Sequence, residues 1–162
     1  MHNSSMILMR KFLSALSIDE PLKILDVGSL RVGNAPVYKD IVIDLKTKRE
    51  YTGLDIVAGP NVDLISLRSI FEDTYDVIIS GQCLEHVQYP HTWIGDLYRI
   101  LKSYGKICII TPSSGPPHHR PDYWRILPDG MQALLSYAGF MHVSVIRYNN
   151  KPWEDCIGVA EK

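Results

Sequence analysis

The sequence predicts an α/β fold: a doubly wound, mostly parallel sheet of seven strands that finishes in an antiparallel hairpin. Three observations carry this. Short apolar runs at residues 23–27, 75–80 and 106–111 each stop at a glycine or a proline, the pattern of strands buried on both faces. Helical spacing occurs between strands, and strand–helix alternation calls for parallel strands with helices on both sides. The last two strand candidates, 141–148 and 156–161, are separated by a short segment holding Asn149, Asn150 and Pro152, as a hairpin connection requires.

Along the chain, Met6, Met9, Leu13 and Leu16 recur at +3, +4 and +3. This predicts a helix within residues 1–20, capped by Ser4 or Ser5 and separated from the first strand by Pro21. Residues 23–27 (KILDV) form that strand and end at Gly28. Gly33, Asn34 and Pro36 make residues 29–39 a loop. Residues 41–45 (IVIDL) read as an extra strand or a helical turn. Residues 51–57 (YTGLDIV) form a strand, then come the turn Ala58-Gly59-Pro60-Asn61 and a short strand at 62–65. After the strand 75–80, Ile94, Leu97, Tyr98 and Leu101 mark a helix that Gly105 closes as a left-handed cap. Residues 113–127 are rich in Pro, Gly, His and Arg and form a long loop. Asp129 is the expected N-cap of a helix carrying Met131, Leu134, Leu135 and Ala138 and ending at Gly139.

Composition narrows the function. The chain has 162 residues, which predicts one domain over 1–162 with a core large enough to need no disulfide. Its 17 Lys+Arg balance 18 Asp+Glu, which argues against the strongly basic face of a nucleic-acid binder. Cys83, Cys108 and Cys156 form no CxxC pair, which argues against a zinc ribbon or a thioredoxin-type redox site; reduced thiols are expected. No run reaches the ~18 apolar residues of a membrane span. Arg10 and Lys11 interrupt the stretch that a signal peptide would need. A cytoplasmic protein is expected.

In an open parallel sheet, ligands bind beyond the carboxyl ends of the strands. Four places qualify. The first is Asp26-Val27-Gly28-Ser29, where glycine allows a tight turn and close approach; Leu30 and Gly33 stand at +2 and +5 from Gly28. The second is Asp55, whose carboxylate could accept both hydroxyls of a ribose, with Asp44 as a rival. The third is the run from Ser80 to His86, including Gln82 and the pair Glu85-His86. The fourth is the 113–127 loop, a substrate-side loop carrying His118, His119, Arg120, Asp122, Tyr123, Trp124 and Arg125. Long polar–aromatic loops of this kind are usually functional. Adjacent histidines lack the i,i+4 spacing of a helical metal pair, so no metal is expected.

Four stretches together resemble one family: 24–28 (ILDVG), 50–63 (EYTGLDIVAGPNVD), 75–87 (YDVIISGQCLEHV) and 119–140 (HRPDYWRILPDGMQALLSYAGF). The chain resembles a class I S-adenosylmethionine-dependent methyltransferase (EC 2.1.1.-) of the type 11 methyltransferase-domain group. The resemblance implies a Rossmann-like sheet and S-adenosylmethionine as cofactor. It puts Asp26, Gly28 and Ser29 along the methionine part, Asp55 on the ribose, Ile56, Ser66 and Leu67 beside the adenine, and Ser80 and Gln82 on the floor. Leu30 departs from the family's usual second glycine, and no acidic residue stands where Ser66 does. For the acceptor side, His119 is the first candidate for the base, with His118 and His86 behind it, and His118, Arg120, Tyr123, Trp124 and Arg125 are expected to bind a small-molecule or sugar-like substrate. The short N-terminus suggests that a second subunit, a copy or another chain, completes the site. The alternative is a non-catalytic scaffold that keeps the fold and has lost the chemistry.

Overall fold

The computed structural model describes residues 3–16, 21–45 and 48–162; the predicted N-terminal helix at 1–20 therefore lies partly outside the described residues. Among the described residues there are four α-helices, α1 (Asn3–Ser14), α2 (Tyr38–Asp44), α3 (Pro90–Ile100) and α4 (Pro128–Ala138). Six strands form one sheet: β1 (Leu22–Val27), β2 (Arg49–Leu54), β3 (Tyr75–Gly81), β4 (Leu101–Pro112), β5 (Met141–Arg147) and β6 (Asp155–Glu161). Their order is β2-β1-β3-β4-β6-β5. The first four run parallel, and β6 is antiparallel to both β4 and β5.

Side chains alternate between two apolar layers, as a sheet buried on both faces demands. Leu25, Ile78, Ile107 and Ile109 face α3 and α4, meeting Ile94, Leu97, Met131 and Leu135. Ile24, Val77, Ile79, Cys108 and Ile110 face α1 and α2, meeting Leu8, Met9, Leu13, Tyr38 and Ile41. The three cysteines are free thiols. No described helix is long and apolar enough to cross a membrane.

The strand count is six among the described residues, not the predicted seven. Residues 62–65 touch the sheet through a single parallel bridge, Leu54 to Leu64. The Gly53 carbonyl accepts from both Asp63 N and Leu64 N, so the pairing is spent in one turn and Ser66 then caps a short 3₁₀ turn over Leu67–Ser69. Residues 41–45 also differ from a strand. The helical-turn reading is the one found: residues 41–44 close α2 and Leu45 is its C-cap, because Tyr38, Ile41, Val42 and Leu45 form a +3, +1, +3 stripe whose first three members are buried. Gly105 is not a helix cap. Helix α3 ends at Ile100, Leu101 enters β4 directly, and Gly105 lies inside that strand. Gly139 does cap α4, with φ of 100°. The N-cap of α4 is Leu127, while Asp129 sits in its first turn, where a carboxylate complements the helix dipole.

This topology positions the site. Strand β1 has β2 on one side and β3 on the other, so the chain crosses over in opposite directions and leaves a crevice beyond the carboxyl ends of β1 and β3.

Candidate active site

The loop after β1 is pinned from beneath. The Leu54 carbonyl accepts from both Gly28 N at 2.8 Å and Ser29 N at 3.0 Å. Gly28 has φ of 85°, and a Cβ there would lie 2.7 Å from Cys83 Cβ. Both the turn and the neighbour therefore require glycine. Ser29 is locked to the turn after β2: its hydroxyl donates to Asn61 O at 2.8 Å, and Asn61 Nδ2 donates back to Ser29 O at 2.7 Å. Leu30, standing where a second glycine is usual, finds room against Gly59; a Cβ on Gly59 would lie 2.6 Å from Leu30 Cδ1. The unusual leucine is thus matched by a glycine in the facing turn.

Beneath this loop lies a buried polar chain. Asn61 Nδ2 donates to the Tyr51 hydroxyl at 2.9 Å, and that hydroxyl donates to Asp26 Oδ2 at 2.6 Å. Asp26 is 1% exposed. Burial pushes its carboxyl up to about 7, against the opposing effect of the Tyr51 hydrogen bond. Burial also pushes the Tyr51 phenol above its usual range. The sign of the resulting pH dependence comes from linkage. Folded Asp26 keeps a proton that the unfolded chain releases near pH 4, so this contribution to stability is full below about pH 4 and is lost as pH rises toward about 7. Asp26→Asn removes it. Thermal melts are expected to show the variant gaining on the parent between pH 5 and pH 8, by up to a few kcal/mol. A gap that stays constant with pH would show that Asp26 titrates normally.

The other predicted cofactor residues are distributed around the crevice. Asp55 stands just after β2; its Oδ2 accepts from Leu30 N and its Oδ1 from Val57 N, each at 3.2 Å, which leaves lone pairs for a further donor. Asp44 is not near it: that carboxylate lies at the end of α2 and pairs with Arg10 at 2.6 Å. Ile56 is 87% exposed and offers an apolar surface beside Asp55. Ser66 Oγ accepts from Arg68 N at 3.2 Å. Ser80 is fully buried and donates to Val27 O at 2.8 Å, so it ties β3 to β1 under the floor. Gln82, in the left-handed region with φ of 54°, donates through Nε2 to Asp155 Oδ1 at 3.0 Å. Its buried Oε1 has no hydrogen-bond partner among the described residues. An orphaned acceptor at the floor and a carboxylate with spare lone pairs at the end of β2 fit a ligand carrying an ammonium and a ribose.

Sequence reasoning missed Asp155. It opens β6, is fully buried, and accepts from Gln82, Ser4 and Asn150 while its own N donates to Asn150 Oδ1. Nothing marks it in the sequence, because it reads as one more polar residue of the connection before the strand expected at 156–161.

The 113–127 loop is fastened to the short turn Leu84–His86 that comes after β3. Tyr123 N donates to Glu85 O at 2.8 Å and Trp124 Nε1 to Val87 O at 2.8 Å. Arg125 holds the loop's own curve together. It grips both oxygens of Asp122 at 2.6 and 2.8 Å and donates to the carbonyls of Gly115 and Pro116. This pairing holds the Asp122 carboxyl far below the usual range and raises the Arg125 guanidinium. Arg125 therefore acts inside the loop, while His119, Arg120, Tyr123 and Trp124 are exposed.

The turn carries a buried carboxylate. Glu85 is fully buried; its Oε2 accepts from Thr111 Oγ1 at 3.0 Å, and its Oε1 has no hydrogen-bond partner among the described residues. Burial pushes its carboxyl up to about 7. Both His86 Nε2 and His118 Nε2 stand 3.8 Å from Oε1. Burial holds the His118 imidazole below its usual value despite the pull of Asp122. Cys83, between this cluster and Gly28, has its thiol pushed up to about 12 by burial and by the Glu85 charge, so it is inert as a nucleophile.

Comparison with known proteins agrees with this architecture. The chain matches the family described as "Methyltransferase domain" over residues 5–145 and belongs to it; by family and fold it is a class I S-adenosylmethionine-dependent methyltransferase. No curated protein matches its sequence. Among solved structures, a SAM-dependent methyltransferase from Archaeoglobus fulgidus is similar at 15% identity and TM-score 0.69, covering 97% of this chain and 92% of that one. The Burkholderia thailandensis 1,6-didemethyltoxoflavin-N1-methyltransferase, with bound 1,6-didemethyltoxoflavin and S-adenosylhomocysteine, is similar at 19% identity and TM-score 0.73, covering 99% of this chain and 77% of that one. The complex of the Haloferax volcanii Trm112 methyltransferase activator with a methyltransferase gives 13% identity and TM-score 0.72, covering 98% and 90%. Identities this low speak for the fold.

Proposed function

We propose that this chain transfers the methyl group of S-adenosylmethionine to a small-molecule or sugar-like acceptor, with His119 receiving the acceptor's proton. The observation that carries the reading is the clasp between the 113–127 loop and the turn after β3, which holds the exposed residues of the loop on the rim of the crevice. When bound, the cofactor supplies a methyl group on a positively charged sulfur, which leaves with the electron pair of the broken bond.

Asp55 would take the two ribose hydroxyls on its remaining lone pairs. Ile56 and Leu67 would cover the adenine, with Ser66 as a polar neighbour. Gln82 Oε1 would accept from the ammonium of the methionine part, and Gly28 and Ser29 would line its path. Asp26 and Ser80 act from below, by holding the loop and the floor in register. Tyr123 and Trp124 would stack on the acceptor and Arg120 would meet an anionic group, while His118 and Arg125 shape the loop. Holding acceptor and methyl in line supplies several kcal/mol of the barrier reduction. A partner subunit covering the rim belongs to the same proposal.

The test uses calorimetry with S-adenosylhomocysteine, with NADH as control, and then an acceptor screen over sugars and small phenols. His119→Ala is expected to lower kcat about 10²–10⁴-fold and to leave S-adenosylhomocysteine binding unchanged. Unchanged turnover would remove His119 from the base role.

A further inference from the structure

We propose that Glu85, His86 and His118 form a binding site for one divalent transition-metal cation of the zinc type. The nearest ligand atoms of the three residues lie within 4.8 Å of one another. The spacing that weighs against a metal concerns His118 and His119; here His118 is brought instead to His86, from a different segment, and their rings stand 5.0 Å apart.

The hydrogens of the two imidazoles are placed by their neighbours. His86 Nδ1 faces the carbonyl oxygen of Pro121. A carbonyl only accepts, so Nδ1 carries the proton and donates. His118 Nδ1 faces Asp122 Oδ2 at 3.0 Å, and that carboxylate is held ionised by Arg125. His118 Nδ1 therefore donates as well. When such a ring is neutral, its other nitrogen, Nε2, is a bare lone pair. Both lone pairs stand 3.8 Å from the same atom, Glu85 Oε1, which is buried and unpartnered among the described residues. With Glu85 ionised, three acceptors thus face one another with no donor between them among the described residues.

A shared proton would relieve one of these contacts, and 3.8 Å is too long for that hydrogen bond. A cation relieves all three. Nitrogen and oxygen ligands at about 2.0–2.2 Å from zinc sit about 3.4 Å apart in a tetrahedron, so the two 3.8 Å histidine–carboxylate distances close by a few tenths of an ångström, and the two histidine nitrogens, within 4.8 Å of each other, close by up to about an ångström more as the loop side chain turns. The surroundings are those of a metal site. Each histidine is oriented through Nδ1 by an oxygen acceptor, and the carboxylate by Thr111. Two imidazoles and one carboxylate suit zinc and its neighbours rather than magnesium or calcium. Such a set leaves a coordination position for water or an acceptor oxygen. Only this last role rests on the methyl-transfer reading; cation binding does not.

The experiment uses the tag-free full chain, stripped with a chelator and dialysed. ZnCl₂ is titrated calorimetrically, and Co²⁺ is added separately while its visible d–d absorption is monitored. One Zn²⁺ per chain with micromolar or tighter affinity is expected, and Co²⁺ bands of nitrogen–oxygen coordination. Glu85→Gln and His118→Gln are each expected to weaken Zn²⁺ at least 100-fold, while His119→Gln leaves Zn²⁺ binding as in the parent. Because Glu85 is buried, His118→Gln on the loop serves if Glu85→Gln fails to fold. Absence of Zn²⁺ binding, or binding that survives His118→Gln, overturns the proposal. S-adenosylhomocysteine binding, measured on the same samples, reports separately on the methyltransferase site: its loss with Zn²⁺ binding intact would overturn that reading and leave this one standing.

Discussion

Asp55→Ala is expected to weaken S-adenosylhomocysteine binding about 10²-fold or more. Hydrogen bonds to a charged group contribute roughly 1.5–3 kcal/mol each, and a ribose would offer two. The substitution has a second effect, because Asp55 Oδ2 also accepts from Leu30 N, so the loop after β1 loses an anchor as well as the ligand losing a partner. Asp55→Asn separates the two, keeping an acceptor for Leu30 N while removing the charge, and should fall between parent and alanine. Calorimetry on the three proteins decides the matter. An alanine variant within threefold of the parent would mean that the ribose is bound elsewhere.

Gly53→Ala is expected to lower the melting temperature by roughly 2–12 °C. A Cβ on Gly53 would lie 2.1 Å from Asn61 O and 2.7 Å from Ser29 Oγ, and the nearer of these is backbone, which cannot swing aside. Overpacking of this kind typically costs about 1–3 kcal/mol, and each kcal/mol is worth about 2–4 °C at this size. The displaced atom is the one that accepts from the Ser29 hydroxyl, so cofactor affinity should fall together with stability. A melt within 1 °C of the parent would show that the 58–61 turn moves freely and that the Ser29–Asn61 latch does not hold the loop.

How much of this was legible beforehand depends on whether a feature is local. Strands β1, β3 and β4 declare themselves, because an apolar run that ends in glycine or proline has few other uses. Helix α2 does not. Its first stripe residue, Tyr38, sits beside Pro36 and Gly33, and without it the remaining Ile41-Val42-Ile43 looks like a strand. Residues 62–65 read as a strand for the same reason, while the early exit toward Ser66 depends on hydrogen bonds to Gly53. Gly28 and Asp55 could be read from their places after strands. The partner of Asp26 could not: Tyr51 reaches it diagonally because the register sets Ile24 opposite Tyr51 and Gly53 opposite Asp26. The 85–86–118 cluster was hidden differently. Its histidines lie 32 positions apart in the sequence, and they meet only because the loop after β4 folds back onto the turn after β3.

The knot around Asp155 has a consequence for how the protein comes into being. Its donor Ser4 is 151 positions away and Gln82 is 73. During synthesis, strands β1 to β4 and helices α3 and α4 can all emerge before the residue that joins them at the rim exists. Contacts of such long separation are slow to form, because loop-closure entropy must be overcome before they contribute. The floor under Gln82 therefore cannot be completed until residue 155 has been made, and a chain that stops short of it has strands β1 to β4 without a finished crevice.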